Sequence, residues 1–173
     1  PKPARLTVIP KEDGSSRPLA IACLEDKIVE STVSKVLNAV FEPIFLDCSF
    51  GFRPQLSAHD ALKSLNKTTY HFNRGALVEI DITKCFNTIR HSELMEFLKM
   101  RISDRKFLRL IRRLIETPVM ENGAITAVKE GCRQGSITSP ILANIFLHYV
   151  IDCWFNKISK ENLKGQAKMV RYC

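Results

Sequence analysis

The hydrophobic period of this chain switches repeatedly between two and about 3.6 residues without a regular strand–helix–strand alternation, and that order limits its fold more than any other feature. Arg5-Leu6-Thr7-Val8-Ile9-Pro10 is a short β-prone run, Asp13-Gly14 is a turn signal, and Arg17-Pro18-Leu19-Ala20-Ile21 resumes the run. Together they predict a hairpin with basic residues on both arms. Apolar residues at Leu24, Ile28, Val29, Val33, Val36, Leu37, Val40 and Phe41 fall at helical spacing, and Pro43 marks the end of that helix. Ser57 offers an N-cap with Asp60 three residues on, opening a helix through Leu65.

Ala76 to Ile82 alternates as a strand does. Val78, Ile80 and Ile82 share one face, and Leu77, Glu79 and Asp81 share the other, which turns Asp81 away from the more apolar side near the strand end. Helices are predicted from Ser92 to about Met100 and from Asp104 to about Glu116, the second closed by Pro118. Asn122-Gly123 is a strong hairpin signal, Ser139-Pro140 begins a long helix reaching about Ile158, and Lys168 to Tyr172 reads as a final strand. Hairpins, helices and isolated strands in this order predict an α+β arrangement, and the final strand stops without a turn or cap.

At 173 residues the chain is long enough for one good core or two small lobes sharing one. No apolar run approaches the roughly 20 residues of a membrane helix, and the start Pro1-Lys2-Pro3-Ala4-Arg5 lacks the apolar centre of a signal peptide. The six cysteines are scattered, with no CxxC pair and no paired histidines at zinc-finger spacing. They read as small buried hydrophobes in a reducing, cytoplasmic setting. The formal charge of +8 favours a polyanionic partner, although many basic proteins bind none.

Three places could carry chemistry. In Asp81-Ile82-Thr83-Lys84-Cys85-Phe86-Asn87, a carboxylate leaving a strand end ahead of exposed backbone suits magnesium, which prefers oxygen ligands and keeps room for phosphate. Read alone, Asp81 is better explained as a turn residue. In Gly131-Cys132-Arg133-Gln134-Gly135-Ser136-Ile137-Thr138-Ser139-Pro140, two glycines permit close backbone approach, Gln134 can both donate and accept, and the helix start that follows favours anions. Read alone, a plain loop-to-helix turn explains it slightly better. Arg5, Lys11 and Arg17 on the first hairpin offer donors that match phosphate oxygens, but solvated cations on hairpins are common.

The segment from Ile9 to Leu19 resembles the opening fingers block of group II intron reverse transcriptases. Ser49-Phe50-Gly51-Phe52-Arg53-Pro54, with Ala58-His59 and Ala61-Leu62, is similar to the next block. Asp81 to Asn87, with Ile89, His91 and Leu94, resembles the first catalytic palm motif. Gly131 to Leu147, including Ala143-Asn144, resembles the block that closes over the nucleotide, and Val170-Arg171-Tyr172-Cys173 the strand leading to an aspartate pair. Five ordered blocks span almost the whole chain. The resemblance divides it into fingers (1–75), palm (76–94 and 131–173) and a fingers/palm insertion (95–130), with the palm on a small antiparallel sheet and no thumb.

The resemblance implies RNA-directed DNA synthesis, with two magnesium ions (or manganese) aligning a primer 3′-hydroxyl with the α-phosphate of a dNTP. Asp81 would hold both ions, with the Ile82 carbonyl completing one shell. Lys11 and Arg17, with backbone around Thr83, Lys84, Cys85 and Phe86, would bind the triphosphate. Phe86 would exclude a 2′-hydroxyl, and Gln134 would touch the sugar or base. Arg5, Arg53 and Arg133 would face RNA template, with an internal carboxylate an equal alternative for Arg53. Asn87, Arg133 and Ser136 depart from the aspartate, proline and glycine common in the family. The aspartate pair is expected after Cys173, so the fragment is expected to be inactive alone. The alternative function is that of a maturase, binding intron RNA as a splicing cofactor.

Overall fold

The computed structural model describes residues 1–10, 14, 16–70 and 74–172. The sequence-predicted hairpin forms as β1 (Ala4–Pro10) and β2 (Ser16–Ile21), antiparallel, with Arg5 opposite Ile21 and Ile9 opposite Arg17. Because side chains alternate along a strand, this register puts Arg5 and Arg17 on the same face. The second hairpin, β3 (Val119–Glu121) and β4 (Ala124–Thr126), turns at Asn122-Gly123, both with positive φ (49° and 84°), as a two-residue turn matched to strand twist requires. β3 runs parallel to β1, with Ala4 opposite Val119, giving a mixed four-stranded sheet in the order β2-β1-β3-β4.

Helix α1 (Leu24–Phe41) has the expected span, followed by a 3₁₀ turn at Glu42–Ile44 that contains Pro43. Its buried face differs from the expected one. Glu30, Val33, Leu37 and Phe41 point inward, while Leu24, Ile28 and Val36 are exposed. The apolar arc of this helix is wider than the surface available to cover it, so one flank stays outside. Helix α2 (Ala58–Tyr70) begins with a reciprocal cap. The Ser57 N–H and hydroxyl donate to Asp60 Oδ2 (3.0 and 2.6 Å), and Asp60 N–H donates back to Ser57 Oγ (3.4 Å).

After the short α3 (Cys85–Thr88), helices α4 (His91–Lys99) and α5 (Arg105–Ile115) fall close to the predicted spans. Asp104 caps α5 by accepting from the N–H groups of Lys106 and Phe107 (2.7 and 3.1 Å). The predicted long helix is interrupted: α6 (Ser139–Leu147) passes through a π-helical turn (His148–Asp152) into α7 (Cys153–Glu161). One continuous core joins Leu37 and Phe41 of α1, Leu94 and Leu98 of α4, Ile111 and Leu114 of α5, and Leu142 and Ile145 of α6.

Two predicted strands do not form among the described residues. Residues 76–82 make no ladder and lie exposed, including Leu77, Val78 and Ile80. Alternation of apolar side chains marks strand potential, but a strand exists only where another backbone accepts its hydrogen bonds. Residues 168–172 contribute one isolated parallel bridge, Arg171 to Ser49. The sheet observed is therefore the mixed sheet of the two hairpins, and no antiparallel palm sheet is seen among these residues.

Candidate functional site

The loop that opens at Gly131 fastens two distant parts of the chain. Gly131 N–H donates to the Ile89 carbonyl (2.7 Å) and Cys132 N–H to the Phe86 carbonyl (2.6 Å), which seats the loop on α3. Two residues later, the Gln134 carbonyl accepts from Ala20 N–H (2.8 Å) on the outer edge of β2. Both contacts need glycine. A Cβ on Gly131 (φ +86°) would meet the Asn87 carbonyl oxygen at 2.7 Å, and one on Gly135 (φ +100°) would meet the Ala20 carbonyl oxygen at 2.7 Å. The first hairpin, α3 with Phe86, and the Gln134 loop thus share one junction.

At this junction the Gln134 amide oxygen is buried and has no hydrogen-bond partner among the described residues. An unsatisfied buried acceptor is costly, and such atoms mark places where a ligand or water completes the bonding. Phe86 is half-buried, with its ring edge-to-face against Phe52 at 6.1 Å between centroids. Phe52 itself has φ +55°, unusual for a bulky residue. Lys84, entering α3, has φ +54°, so the backbone turns sharply in the segment expected to face phosphate. A shallow cavity of about 140 Å³ lies alongside, lined by Asn87, Glu130, Gly131 and Arg133 among others. Burial pushes the Cys132 thiol up to about 12, so it serves as packing at neutral pH.

The individual residues divide into three groups. Asp81, Ile82, Thr83 and Lys84 are exposed, Cys85 is half-buried beside Phe86, and Arg5 and Arg17 are exposed on the hairpin. Lys11 lies outside the described residues. Arg133, expected at the template, is instead turned inward, and Arg53 meets an internal carboxylate, which was the equal alternative to template for this residue. Arg133 Nη2 donates to the fully buried Glu30 (3.3 Å) and to the Leu114 carbonyl (3.1 Å), with its side chain 6% exposed. Burial lowers its pKa from the ordinary arginine value, against the opposing pull of Glu30. Arg53 donates twice to Glu42 Oε1 (2.9 and 2.7 Å) and to the carbonyls of Leu46 and Ser49. Each guanidinium is satisfied beside its carboxylate, half-buried Glu42 or fully buried Glu30, and turning Arg133 out to template would strand Glu30.

Sequence reading gave no role to the groups that hold the site's frame, although Ser49, Asn144 and Arg171 stand in the segments that carry the resemblance. Glu30 also accepts from Ile137 N–H (2.9 Å), which ties the Gln134 loop to α1. Arg171 joins Asp152, Asn144 Oδ1 (3.0 Å) and Ser49 Oγ (2.6 Å), while Asn144 Nδ2 donates to the Gly51 carbonyl (2.7 Å). For Glu30 the available signal was a charge in phase with Val33 and Leu37 on a helix face.

A divalent ion needs several oxygen ligands. Asp81 and the Ile82 carbonyl can contribute two, and no cluster of three potential side-chain ligands occurs among the described residues. Those residues fit part of a metal site and do not complete one.

The fold is shared with the solved structure described as "Partial Cas6-RT-Cas1--Cas2 complex", which covers 99% of this chain and matches 28% of its own length at a TM-score of 0.52 and 19% identity. The chain belongs to the reverse transcriptase (RNA-dependent DNA polymerase) family, whose pattern matches residues 9–173. It is 38% identical over 150 residues to the group II intron-encoded protein LtrA of Lactococcus lactis, covering 86% of this chain and 24% of that protein. It is 38% identical to an uncharacterized 91 kDa protein in a cob intron of Schizosaccharomyces pombe (94% and 20%), and 37% identical to protein YkfC of Escherichia coli (99% and 45%). The chain spans between a fifth and just under half the length of these relatives.

Proposed function

We propose that this chain is the fingers (1–75), palm (76–94 and 131–173) and intervening insertion (95–130) of an RNA-directed DNA polymerase of the group II intron type. The observation that carries this reading is the double seating of the Gln134 loop, on Phe86 through Cys132 and on Ala20 directly, with the Gln134 amide oxygen buried and unpaired among the described residues. A dNTP whose sugar or base donates to that oxygen would sit beside Phe86, with Arg17 and Lys11 neutralising its triphosphate. The N–H groups from Thr83 to Phe86, on a backbone already turned at Lys84, suit phosphate oxygens. The Phe86 ring, braced by Phe52, would fill the space of a ribose 2′-hydroxyl and so select deoxynucleotides.

Asp81 would hold magnesium, or manganese, together with the Ile82 carbonyl. When bound, such ions polarise the attacking and leaving oxygens of phosphoryl transfer. Arg5, sharing a hairpin face with Arg17, would meet the RNA template or its paired primer.

The test is DNA synthesis by the full-length protein on a primed RNA template with dNTPs and magnesium, comparing wild type with Asp81→Asn and Gln134→Ala. Asp81→Asn should abolish synthesis. Gln134→Ala should raise KM for dNTP at least about tenfold, the loss of one to two hydrogen bonds. Wild-type rates in both variants would overturn the assignment.

A further inference from the structure

Helix α5 carries a charge pattern that the nucleotide site does not use. Its sequence Arg105-Lys106-Phe107-Leu108-Arg109-Leu110-Ile111-Arg112-Arg113-Leu114-Ile115 contains five cations and no acid. At 100° per residue the five cations fall within an arc of about 120°, and the apolar residues occupy the opposite side. The structure agrees: Leu108, Ile111, Leu114 and Ile115 are buried, whereas Arg105, Lys106, Arg109, Arg112 and Arg113 are exposed. Among the described residues, Arg112 alone of the five lies within ion-pair range of a carboxylate, Glu116 at 3.6 Å. Arg105, Arg109 and Arg113 follow one another at four-residue steps, about 6 Å apart along the axis.

We infer that this face of α5 is a docking surface for the phosphate backbone of RNA, separate from the nucleotide site. A row of like charges on a packed helix repels itself, and a linear polyanion laid along it relieves that repulsion while releasing counterions. Four of the five cations are arginines, whose forked donors match phosphate oxygens in pairs. An anionic membrane is a poorer fit. A surface-bound amphipathic helix inserts its apolar side between lipids, and the apolar side of α5 is already spent on α4 and the core. The choice of RNA over DNA rests on the polymerase reading above, whereas the charge match does not.

The experiment measures binding of a fluorescent RNA hairpin by the full chain across a salt series, for wild type and for the triple variant Arg105→Gln, Arg109→Gln, Arg113→Gln. All three positions are exposed, and circular dichroism with thermal melting checks that the fold is kept. Affinity should fall at least about tenfold at about 0.1 M salt, and the log–log salt slope should flatten by about 2 to 3, since each neutralised phosphate contributes close to one. An unchanged affinity and slope would overturn the inference. So would a triple variant that loses binding to phosphatidylserine vesicles while RNA binding stays the same. Primer extension by the full-length Asp81→Asn protein separates the two ideas, because it reports on the nucleotide site and should leave hairpin binding through α5 intact.

Discussion

Arg171 and Asp152 grip each other through two parallel hydrogen bonds, Nε to Oδ1 at 2.8 Å and Nη2 to Oδ2 at 2.9 Å, in a site where Asp152 is fully buried. Forked pairing of this kind fixes orientation as well as distance. The π-helical turn that carries Asp152 and the bridge between Arg171 and Ser49 are therefore held as one unit. A buried pair adds little stability over a well-packed apolar substitute, but breaking one half is costly because a buried charge is left alone.

Asp152→Ala should accordingly lose about 3–5 kcal/mol in urea unfolding. The double variant Asp152→Ala with Arg171→Met should regain a large part of that loss, since no stranded guanidinium remains. If Asp152→Ala unfolds at the wild-type midpoint, the pair does not hold this corner together.

Gly135→Ala tests the seating of the Gln134 loop. The added Cβ would meet the Ala20 carbonyl oxygen at 2.7 Å and the Leu19 side chain at 2.9 Å, at a φ of +100° that L residues rarely adopt. Backbone strain alone costs about 1–3 kcal/mol, and the contact with β2 must open as well. The expected result is a drop in stability of about 2 kcal/mol or more, together with faster exchange of the Ala20 amide. Gly123→Ala serves as a comparison, because its Cβ meets nothing within 4 Å despite φ +84°. It should show the strain cost without faster Ala20 exchange.

How far these features were legible in the sequence follows from which forces are local. The span of α1, the Ser57–Asp60 cap and the Asn122-Gly123 turn depend on neighbours in the chain, and each was readable. Residues 76–82 misled because alternation reports only that side chains suit a pleated surface, whereas a ladder needs a second backbone from elsewhere. Arg133 misled in another way, and for the same reason Arg53 stayed open between template and an internal carboxylate. Composition shows that a guanidinium exists, but whether it meets Glu42, Glu30 or a phosphate depends on packing across the fold. The π-helical turn at His148–Asp152 leaves no mark in an apolar pattern, and it re-aims Asp152 toward Arg171.

His148 predicts a pH dependence. Burial holds its imidazole below the usual value of 6.5, with Arg171 pushing the same way and Asp152 opposing. The unfolded chain then takes up the proton at higher pH than the folded protein does, so the stabilisation is complete above about pH 6.5 and fades as pH falls below it. Thermal melts between about pH 7.5 and about pH 5.5 should show stability declining on acidification, by less than about 1.4 kcal/mol per pH unit from this group. In His148→Gln the decline over that window should be visibly shallower. An identical pH profile in the variant would remove His148 as its source.

The cysteines give a kinetic test of burial. Desolvation raises the Cys48 thiol from 9.0 to about 11, with Asp152 adding to the effect, and raises Cys132 to about 12. The thiolate is the form that reacts, so at about pH 8 a thiol at 9.0 is roughly one-tenth ionised, Cys48 about one-thousandth and Cys132 about one ten-thousandth. Iodoacetamide labelling followed by peptide mass spectrometry should therefore modify Cys132 last and Cys48 ahead of it. Cys132 is also part of the Gln134 loop, buried with its N–H donating to the Phe86 carbonyl, so opening that loop exposes it. Gly135→Ala should consequently speed Cys132 labelling several-fold while leaving Cys48, held near Arg171, at its wild-type rate. Acceleration of both thiols together would mean the substitution loosens the whole fold, and no acceleration at Cys132 would mean the loop stays seated on β2 without its glycine.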